Sequence, residues 1–368
     1  MLKIKNILRN ETVLVISLIL ASVTAIFVRP STKYLSYIDF KVLVILFCLM
    51  AIVSGFKKIG VFGVLAQRMT AGSKNSKALR LSLILICFFS SMFITNDVAL
   101  ITFVPFAIMV LNVTAQTEYM IYVIVMQTVA ANIGSMLTPV GNPQNLYLYS
   151  FYNIQIAEFF KITIPFTIVG LLLIIMFSVV GKNENIHVRF NSDEIISDNK
   201  LMIIYLLLFF VCLGTVFHLI DYKITFTIVL IAIFVTDKSL LKNIDYGLLA
   251  TFVCFFIFVG NIGNIQYINT LISNIVKGRE LIVSVLLSQV CSNVPTSVLL
   301  SNFTGNYRAL VIGTNIGGLG TLIASLASLI SYKLYAKTND AKPFKYLLVF
   351  SLINVLILLI LMAFSITM

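Results

Sequence analysis

The sequence lacks tryptophan, has only two histidines and carries few charged residues. No H-E-x-x-H, C-x-x-C or Gly-Lys-Ser/Thr pattern occurs in it, which speaks against a histidine-based metal site, a cysteine pair for metal or redox chemistry, and a phosphate-binding loop. Its five cysteines lie in apolar stretches and are expected to pack there. Charged residues make up 11% of the chain, against roughly a quarter in soluble domains. The chain therefore lacks the surface of a soluble protein.

Long apolar runs are present instead, since 60% of the 368 residues are hydrophobic. A helix needs about 20 apolar residues to cross the hydrocarbon core. The first run is interpreted as a retained helix and not as a cleaved signal peptide. The net charge of +12 comes from Lys and Arg in short loops, which predicts membrane orientation and not nucleic-acid binding. The nine predicted crossings are residues 13–28, 40–56, 119–148, 160–180, 201–220, 224–235, 246–259, 309–334 and 346–364.

Four further segments are not predicted to be simple membrane crossings. Residues 79–113 and 281–303 have apolar flanks around a polar centre, and lipid cannot satisfy a backbone break there, so each is expected to be a re-entrant hairpin or one long broken helix. Residues 57–73 and 262–276 have apolar residues at helical spacing and are predicted to lie in the membrane interface. With both hairpins re-entrant, 18 of the 26 Lys and Arg fall on the side of the N-terminus, which is then cytoplasmic.

A short motif occurs twice in the chain. Residues 132–138 and 315–321 share N-I-G-x-x-x-T at an offset of 183 residues. Ordered repetition of this kind predicts an internal duplication. Two more pairs precede the motif in the same order: Gly55 with Gly260 at an offset of 205, and Asn96 with Asn293 at an offset of 197.

The duplication divides the chain into two predicted units within one membrane domain. Residues 1–200 hold the first unit with an N-terminal helix and a cytoplasmic linker, and residues 201–368 hold the second. An odd number of predicted crossings separates Gly55 from Gly260, so the two units are expected to be inverted. Inverted repeats with broken helices are typical of secondary transporters, whose site lies where the breaks meet.

Asp97 is the only acidic residue in the middle of an apolar stretch, and it follows Thr95 and Asn96 at the predicted tip of the first hairpin. A carboxylate at membrane depth is costly unless a proton, a cation or a partner neutralises it. The alternative role is that of a helix cap. We favour a site for a coupling cation or proton. Its predicted residues are Thr95, Asn96, Asp97, Gly134 and Asn293.

The polar and small residues at the two breaks are the candidate substrate ligands. Gly and Pro interrupt the helical ladder there; the freed carbonyls bind cations, and half-helix N-termini attract anions. Close helix packing is the alternative role for the small residues, above all 317–320. No Lys or Arg lies in the middle of an apolar stretch, so a fixed positive site is not expected. The predicted ligands are Asn96, Asn132, Ser135, Thr138, Asn142, Asn145, Ser292, Asn293, Thr296, Thr314, Asn315, Gly317, Gly318 and Thr321.

With these motifs the sequence resembles the ion-transporter superfamily, which includes divalent-anion/sodium symporters, citrate transporters and arsenite permeases. The resemblance covers about residues 55–334 and is strongest to small citrate-transporter-like anion permeases of bacteria. The matching motifs are I-T-N-D-V-A-L at 94–100, A-N-I-G-S-M-L-T-P-V-G-N-P-Q-N at 131–145, S-N-V-P-T-S at 292–297 and T-N-I-G-G-L-G-T at 314–321.

The resemblance implies an all-α integral membrane fold of about nine transmembrane helices and two re-entrant hairpins in two inverted repeats. It also implies a scaffold, a transport part that moves in an elevator-like shift, and often a homodimer. In the family, Ser-Asn-Thr hairpin motifs bind sodium and carboxylate substrate; residues 95–97 and 292–294 match them here. The motif at 95–97 departs from this pattern toward the Asn-Asp form of arsenite permeases. The motif at 292–294 has Val294 in place of a hydroxyl residue, with Thr296 two residues further on.

We therefore expect a secondary active transporter for a small anion, such as citrate or a dicarboxylate, coupled to sodium or protons. The alternatives are arsenite or antimonite efflux, sodium/proton antiport and, from another class, an ion channel. An intramembrane aspartyl protease would need a second intramembrane Asp, and no enzyme activity is expected. The expected partners are the anion, the lipid bilayer and a second copy of the chain. No cofactor besides a sodium ion is expected, and the expected location is the inner (plasma) membrane with a cytoplasmic N-terminus.

Overall fold

Almost all of the described chain is α-helical. The computed structural model describes residues 12–71, 75–178, 180–186 and 194–367, so the basic start with Lys3, Lys5 and Arg9 lies outside the described residues. Short 3-10 turns at Thr117–Tyr119 and Lys238–Asn243 interrupt the helices. The helices are α1 Thr12–Phe27, α2 Lys33–Tyr37, α3 Phe40–Lys58, α4 Val61–Ala71, α5 Ser76–Ser90, α6 Asn96–Val113, α7 Met120–Gly134, α8 Pro143–Phe151, α9 Ile156–Ser178, α10 Asn199–Val216, α11 Tyr222–Thr236, α12 Tyr246–Asn264, α13 Gln266–Val276, α14 Glu280–Cys291, α15 Asn293–Ser301, α16 Tyr307–Gly317, α17 Leu326–Tyr335 and α18 Pro343–Ile366.

Six of these helices, α3, α6, α9, α10, α12 and α18, are long and apolar enough to cross a membrane. Three shorter apolar helices, at Val13–Phe27, Tyr222–Thr236 and Glu280–Cys291, accompany them. These helices identify a multi-pass membrane protein. The predicted total of nine crossings stays a prediction, because the predicted runs 119–148 and 309–334 are each divided into two half-helices, α7/α8 and α16/α17.

The same seven elements follow one another in both halves of the chain. Helices α3 to α9 and α12 to α18 each form a long helix, an 11-residue helix, two hairpin arms, two half-helices and a final long helix. The breaks between the half-helices are residues 135–142 and 318–325, equal in length. The repeating elements begin at Phe40 and Tyr246, and α10 and α11 lie between them.

Both repeats begin in the same way for a local reason. The carboxylates of Asp39 and Asp245 accept hydrogen bonds from the backbone N–H groups of Val42 and Leu248, which caps the first helix of each repeat. The short helix α13 has only Val276 buried and leaves an apolar face uncovered. Its place in the membrane interface stays a prediction.

The repeats interlock through their half-helices. The first half-helix of each repeat packs on its own hairpin, α7 on α5 and α6, and α16 on α14 and α15. The second half-helix crosses to the other repeat, where α8 packs on α15 and α17 packs on α6. Outside this assembly, α1 packs on α12, and α10 and α11 pack on α3. Both helix breaks therefore lie inside one assembly of two hairpins and four half-helices.

Candidate functional site

Each hairpin tip is tied to the break of its own repeat by an equivalent hydrogen bond. The backbone N–H of Asn96 donates to the Gly141 carbonyl at 3.2 Å, and that of Asn293 donates to the Ala324 carbonyl at 3.0 Å. Gly141 and Ala324 are 183 residues apart, the offset of the repeated motif. The tip asparagines therefore open α6 and α15 directly beside the unwound backbone.

The threonine of the repeated motif fixes the break from the other side. The Thr138 hydroxyl donates to the Met92 carbonyl, and the Thr321 hydroxyl donates to the Gln289 carbonyl at 3.0 Å. Met92 and Gln289 keep the 197-residue offset of the tip asparagines. Each break is thus held against the end of the first hairpin arm, with its geometry set by the motif.

The glycine of the motif lets the first half-helix approach the hairpin closely. A Cβ on Gly134 would lie 2.1 Å from the Phe88 carbonyl oxygen, and a Cβ on Gly317 would lie 2.8 Å from the Ser288 side chain. No side chain larger than hydrogen fits there without movement of a neighbour. The missing side chains of Gly134 and Gly317 therefore permit close packing, the alternative role considered for Gly317, and the predicted ligand roles of both stay predictions.

Asn132, just before the first break, forms hydrogen bonds to the second break. Its Oδ1 accepts from the Asn96 amide at 2.8 Å and from the Ser325 hydroxyl at 3.2 Å, and its own amide donates to the Gly318 carbonyl at 3.4 Å. Asn132 is buried and joins the first hairpin tip to both breaks.

A second cross-contact joins the breaks through Asn315. Its amide donates to Asn145 Oδ1 at 2.6 Å. The Asn145 amide in turn donates to the Ser135, Met136 and Thr138 carbonyls of the first break. The predicted ligands Asn132, Asn145 and Asn315 are thus brought together, and much of their hydrogen-bonding capacity serves to hold the unwound backbone.

Other predicted ligands bond within their own segments. The hydroxyls of Thr296 and Thr314 donate to carbonyls one turn earlier, at Ser292 and Leu310. Ser135 donates to the Asn132 carbonyl and accepts from the Asn142 amide. These side chains are buried, so a ligand reaches them only if the assembly opens.

Several buried polar atoms near the breaks have no hydrogen-bond partner. They include Asp97 Oδ1, Asn142 Oδ1, Asn315 Oδ1, Ser328 Oγ and both amide atoms of Gln144. Buried polar groups are almost always satisfied in folded proteins, so these atoms are available to a substrate, an ion or water. No group of three or more His, Cys, Asp and Glu side chains suited to a metal ion occurs in the described residues. Carboxylate and amide oxygens are the ligand type that hard cations prefer, so the expectation of a sodium ion stays a prediction.

Asp97 lies in the first turn of α6, where the positive end of the helix dipole favours a carboxylate. Thr95 occupies the N-cap position, and the backbone N–H of Asp97 donates to Asn96 Oδ1. Since Asp97 Oδ1 has no partner, the contacts give no support to the cap role for this carboxylate.

A cavity of about 830 Å³ reaches the first hairpin tip. This volume falls in the range of about 300–1,000 Å³ typical of small-molecule sites. Its walls come from α3, the 3-10 turn Lys238–Asn243, the start of α12, the first hairpin tip and α17. Its polar lining consists of Ser54, Lys57, Lys58, Thr95, Asp97, Ser239, Lys242, Asn243, Asp245 and Lys333. Of the predicted site residues only Thr95 and Asp97 line it; Asn96, Asn132, Asn145 and Asn315 are absent from the lining.

A family model described as citrate transporter matches residues 4–306. The chain belongs to the citrate transporter family. It is 33% identical over 329 residues to the uncharacterized transporter MJ0456 of Methanocaldococcus jannaschii, covering 89% of this chain and 90% of that protein. It is 28% identical over 330 residues to the inner membrane protein YbiR of Escherichia coli, covering 83% of this chain and 82% of that protein. The fold and these relatives agree that this member of the citrate transporter family is a multi-pass membrane transporter.

Three features of this citrate transporter family member lie outside the residues predicted from its sequence. Gln289 donates to the Gly317 and Leu319 carbonyls and accepts from the Thr321 N–H, so it holds the second break as Asn145 holds the first. Gln144 is buried with its amide unpaired. A polar amide inside an apolar segment was the available signal for both. The third feature is the set of cavity lysines, each of which lies at the end of an element and gives no local signal.

Proposed function

We propose that this protein is a secondary active transporter of a small organic carboxylate, such as citrate or a dicarboxylate, coupled to sodium or protons. The observation that carries the proposal is the cavity that joins exposed lysines to Thr95 and Asp97 at the first hairpin tip. Lysines attract the anion, and the carboxylate beside the broken helices provides a site for the coupling cation. The anion site and the cation site lie in the same cavity, as coupling of the two requires.

Asp97 is the proposed coupling residue. Asp97 is half-buried and its Oδ1 is buried without a partner, which is costly for a carboxylate at membrane depth, so binding of a proton or a sodium ion is favourable there. Once Asp97 is neutral, an anion enters the same cavity without opposing charge. The unpaired Asn142 and Asn315 oxygens lie near the breaks and offer further cation ligands.

The proposed transport movement is an elevator-like shift of the hairpins and half-helices against α3 and α12. The cavity lies between these two parts. Its lysines are on the side predicted to be cytoplasmic, so we assign the structure to an inward-open state. Location in the inner (plasma) membrane with a cytoplasmic N-terminus, and assembly as a homodimer, belong to the same proposal.

Uptake into proteoliposomes tests the proposal directly. Purified full-length protein is reconstituted and offered radiolabelled citrate, succinate, acetate and oxyanions, under a sodium gradient or a proton gradient imposed separately. We expect accumulation of at least one carboxylate under one of the gradients. If no anion moves under either gradient, the proposal is wrong. Currents far above carrier turnover, without a gradient requirement, would instead identify a channel.

Asp97→Asn is expected to abolish the gradient dependence of uptake and to leave folding intact. Asp245→Asn is the matched control, because Asp245 lines the same cavity but caps α12, and Asn is also a good N-cap. Gradient dependence at the wild-type level in Asp97→Asn would remove Asp97 from the coupling site. Loss of coupling in Asp245→Asn alone would move the site to that carboxylate.

Arsenite or antimonite efflux is the second candidate, favoured by the Asn96-Asp97 pair at the hairpin tip, which follows the arsenite permease form. Arsenite is neutral at pH 7, so its transport would need no positive cavity. Adding arsenite to the panel tests both functions together. Competition by arsenite with carboxylate uptake is expected only if both compounds use one site.

A further inference from the structure

Lysines from three separate parts of the chain meet around the cavity. Lys57 lies in the last turn of α3, Lys242 lies in the 3-10 turn before α12, and Lys333 lies in the last turn of α17. All three are exposed. They come from both repeats and from the link between them, so only the fold brings them to one cavity.

No ion pair with a described residue cancels the charges of these three lysines. Within the described residues the ion pairs are Lys58 with Asp237 and Arg308 with Glu158. Lys58 also lines the cavity, but its ammonium is held by Asp237 and Ser239. The cavity also contains the carboxylates of Asp97 and Asp245, which are fewer than its lysines. The electrostatic potential inside the cavity is therefore positive.

We infer that Lys57, Lys242 and Lys333 form an outer binding site that selects multivalent anions before they reach the hairpin tip. The inference rests on the proposed function and adds to it an outer site of named lysines that prefers multivalent anions over monovalent ones. Ser54 and Asn243, which hydrogen-bond to each other in the same lining, offer a hydroxyl and an amide to such an anion.

The selection follows from Coulomb's law. The interaction energy scales with the product of the charges, so three ammonium groups attract a trivalent anion three times as strongly as a monovalent one. With screening at physiological salt, removal of all three charges is expected to raise KM about tenfold for a trivalent anion and about twofold for a monovalent anion. The difference should vanish at about 1 M salt, where the Debye length falls to about 3 Å.

Uptake kinetics of citrate and acetate test this site in the triple variant Lys57→Gln, Lys242→Gln, Lys333→Gln. The matched control replaces Lys200, Lys337 and Lys345, which are exposed lysines outside the cavity lining. We expect a rise in the citrate KM in the first triple variant only, with kcat unchanged and a flattened salt dependence. Equal KM values in both triple variants would overturn the inference.

A variant that adds positive charge to the cavity keeps the test valid if the triple variant, which removes positive charge, does not fold. Asp237→Asn releases Lys58 and adds a positive charge to the lining. We expect it to lower the citrate KM about twofold at physiological salt and to steepen the salt dependence. An unchanged or higher citrate KM would count against an outer anion site.

Lysine footprinting makes the test independent of transport. The purified wild-type protein is acetylated with and without citrate, and each lysine is followed by mass spectrometry. Protection of Lys57, Lys242 and Lys333 over Lys337 supports the outer site even if the liposomes take up no carboxylate, an outcome that would reject only the proposed function. Carboxylate uptake without protection would reject only the outer site.

Discussion

Gly134 lies in the last turn of α7, against the first hairpin arm, and its substitution by alanine tests how closely the half-helix must approach the hairpin. The new Cβ would lie 2.1 Å from the Phe88 carbonyl oxygen and 2.6 Å from Ser91 Oγ. The Ser91 hydroxyl can rotate, but the carbonyl belongs to a helical backbone. The arm or the half-helix must therefore move by about 1 Å to reach an ordinary contact.

The expected magnitude follows from two opposing effects. Overpacking of a close-packed interior costs about 1–3 kcal/mol, and contact with backbone puts Gly134→Ala at the upper end. Replacement of Gly by Ala inside a helix contributes up to about 1 kcal/mol in the other direction, less in a last turn. The net loss is about 2 kcal/mol, equivalent to a fall in Tm of about 2–4 °C in a chain of this size.

Two further glycines provide a matched series. At Gly317 the Cβ would meet the Ser288 side chain at 2.8 Å, so Gly317→Ala should cost about 1 kcal/mol. At Gly263 in α12 nothing lies within 4 Å of the added Cβ, so Gly263→Ala should be neutral or stabilising by up to about 1 kcal/mol. The same substitution is thus expected to change sign with position.

The chain itself provides the probe for the assay. It has no tryptophan, but Cys48, Cys87 and Cys212 are free and buried, so a maleimide dye that fluoresces on reaction with thiols reports unfolding in detergent. Contrary to expectation Cys291 is exposed, and it should be replaced by serine in every variant to remove background. A Tm of Gly134→Ala equal to or above that of Gly263→Ala would refute the close-packing account.

Three smaller predictions, two at the tips and breaks and one in the loop between α10 and α11, are tested in the same assay. Thr138→Val should cost about 1 kcal/mol and Thr321→Val less, because the Thr138 hydroxyl also accepts from the Gly141 N–H and Thr321 is exposed. Ser292 has φ 72° and ψ 154°, a conformation nearly reserved for glycine, so Ser292→Gly should stabilise the protein by about 1 kcal/mol. Burial and the Lys41 ammonium lower the pKa of His218 from 6.5, so the folded protein disfavours the charged ring; stability should be constant above pH 6.5 and fall as pH drops through the folded pKa.

Each of these three has its own contradicting result. Equal losses from Thr138→Val and Thr321→Val would mean that the second bond to Thr138 contributes nothing. A lower Tm for Ser292→Gly would show that the serine hydroxyl, which donates to the Ala324 carbonyl, outweighs the backbone strain. His218→Gln should remove the fall in Tm below pH 6.5; an unchanged slope would assign it to other groups.

The local chemistry of the repeats could be predicted from the sequence. Asn132 and Asn315 mark the ends of the half-helices, and the breaks begin within a few residues of them, because Gly and Pro stop a helix wherever the rest of the chain lies. The tips at Asn96 and Asn293 open helices as their polar side chains suggest. The pairing of these positions between repeats is visible in sequence because close packing fixes the residue type.

Which side chains remain free could not be predicted. Thr314 and Asn145 look like ligands in the sequence, yet the fold uses the first to bond its own helix and the second to hold three carbonyls. The number of hydrogen bonds that an amide forms within the protein depends on neighbours far along the chain. Only those neighbours determine whether an oxygen is left for a substrate.

A membrane protein with a duplicated pair of broken helices could be predicted without the fold, because hydrophobicity and helix interruption are properties of consecutive residues. Which polar groups meet depends on the folded chain. It places Asn132 between both breaks, leaves Asp97 Oδ1 without a partner among the described residues and gathers Lys57, Lys242 and Lys333 around one cavity. Electrostatic attraction acts through space over several ångströms, and residues nearly 300 positions apart have no local pattern that records their proximity.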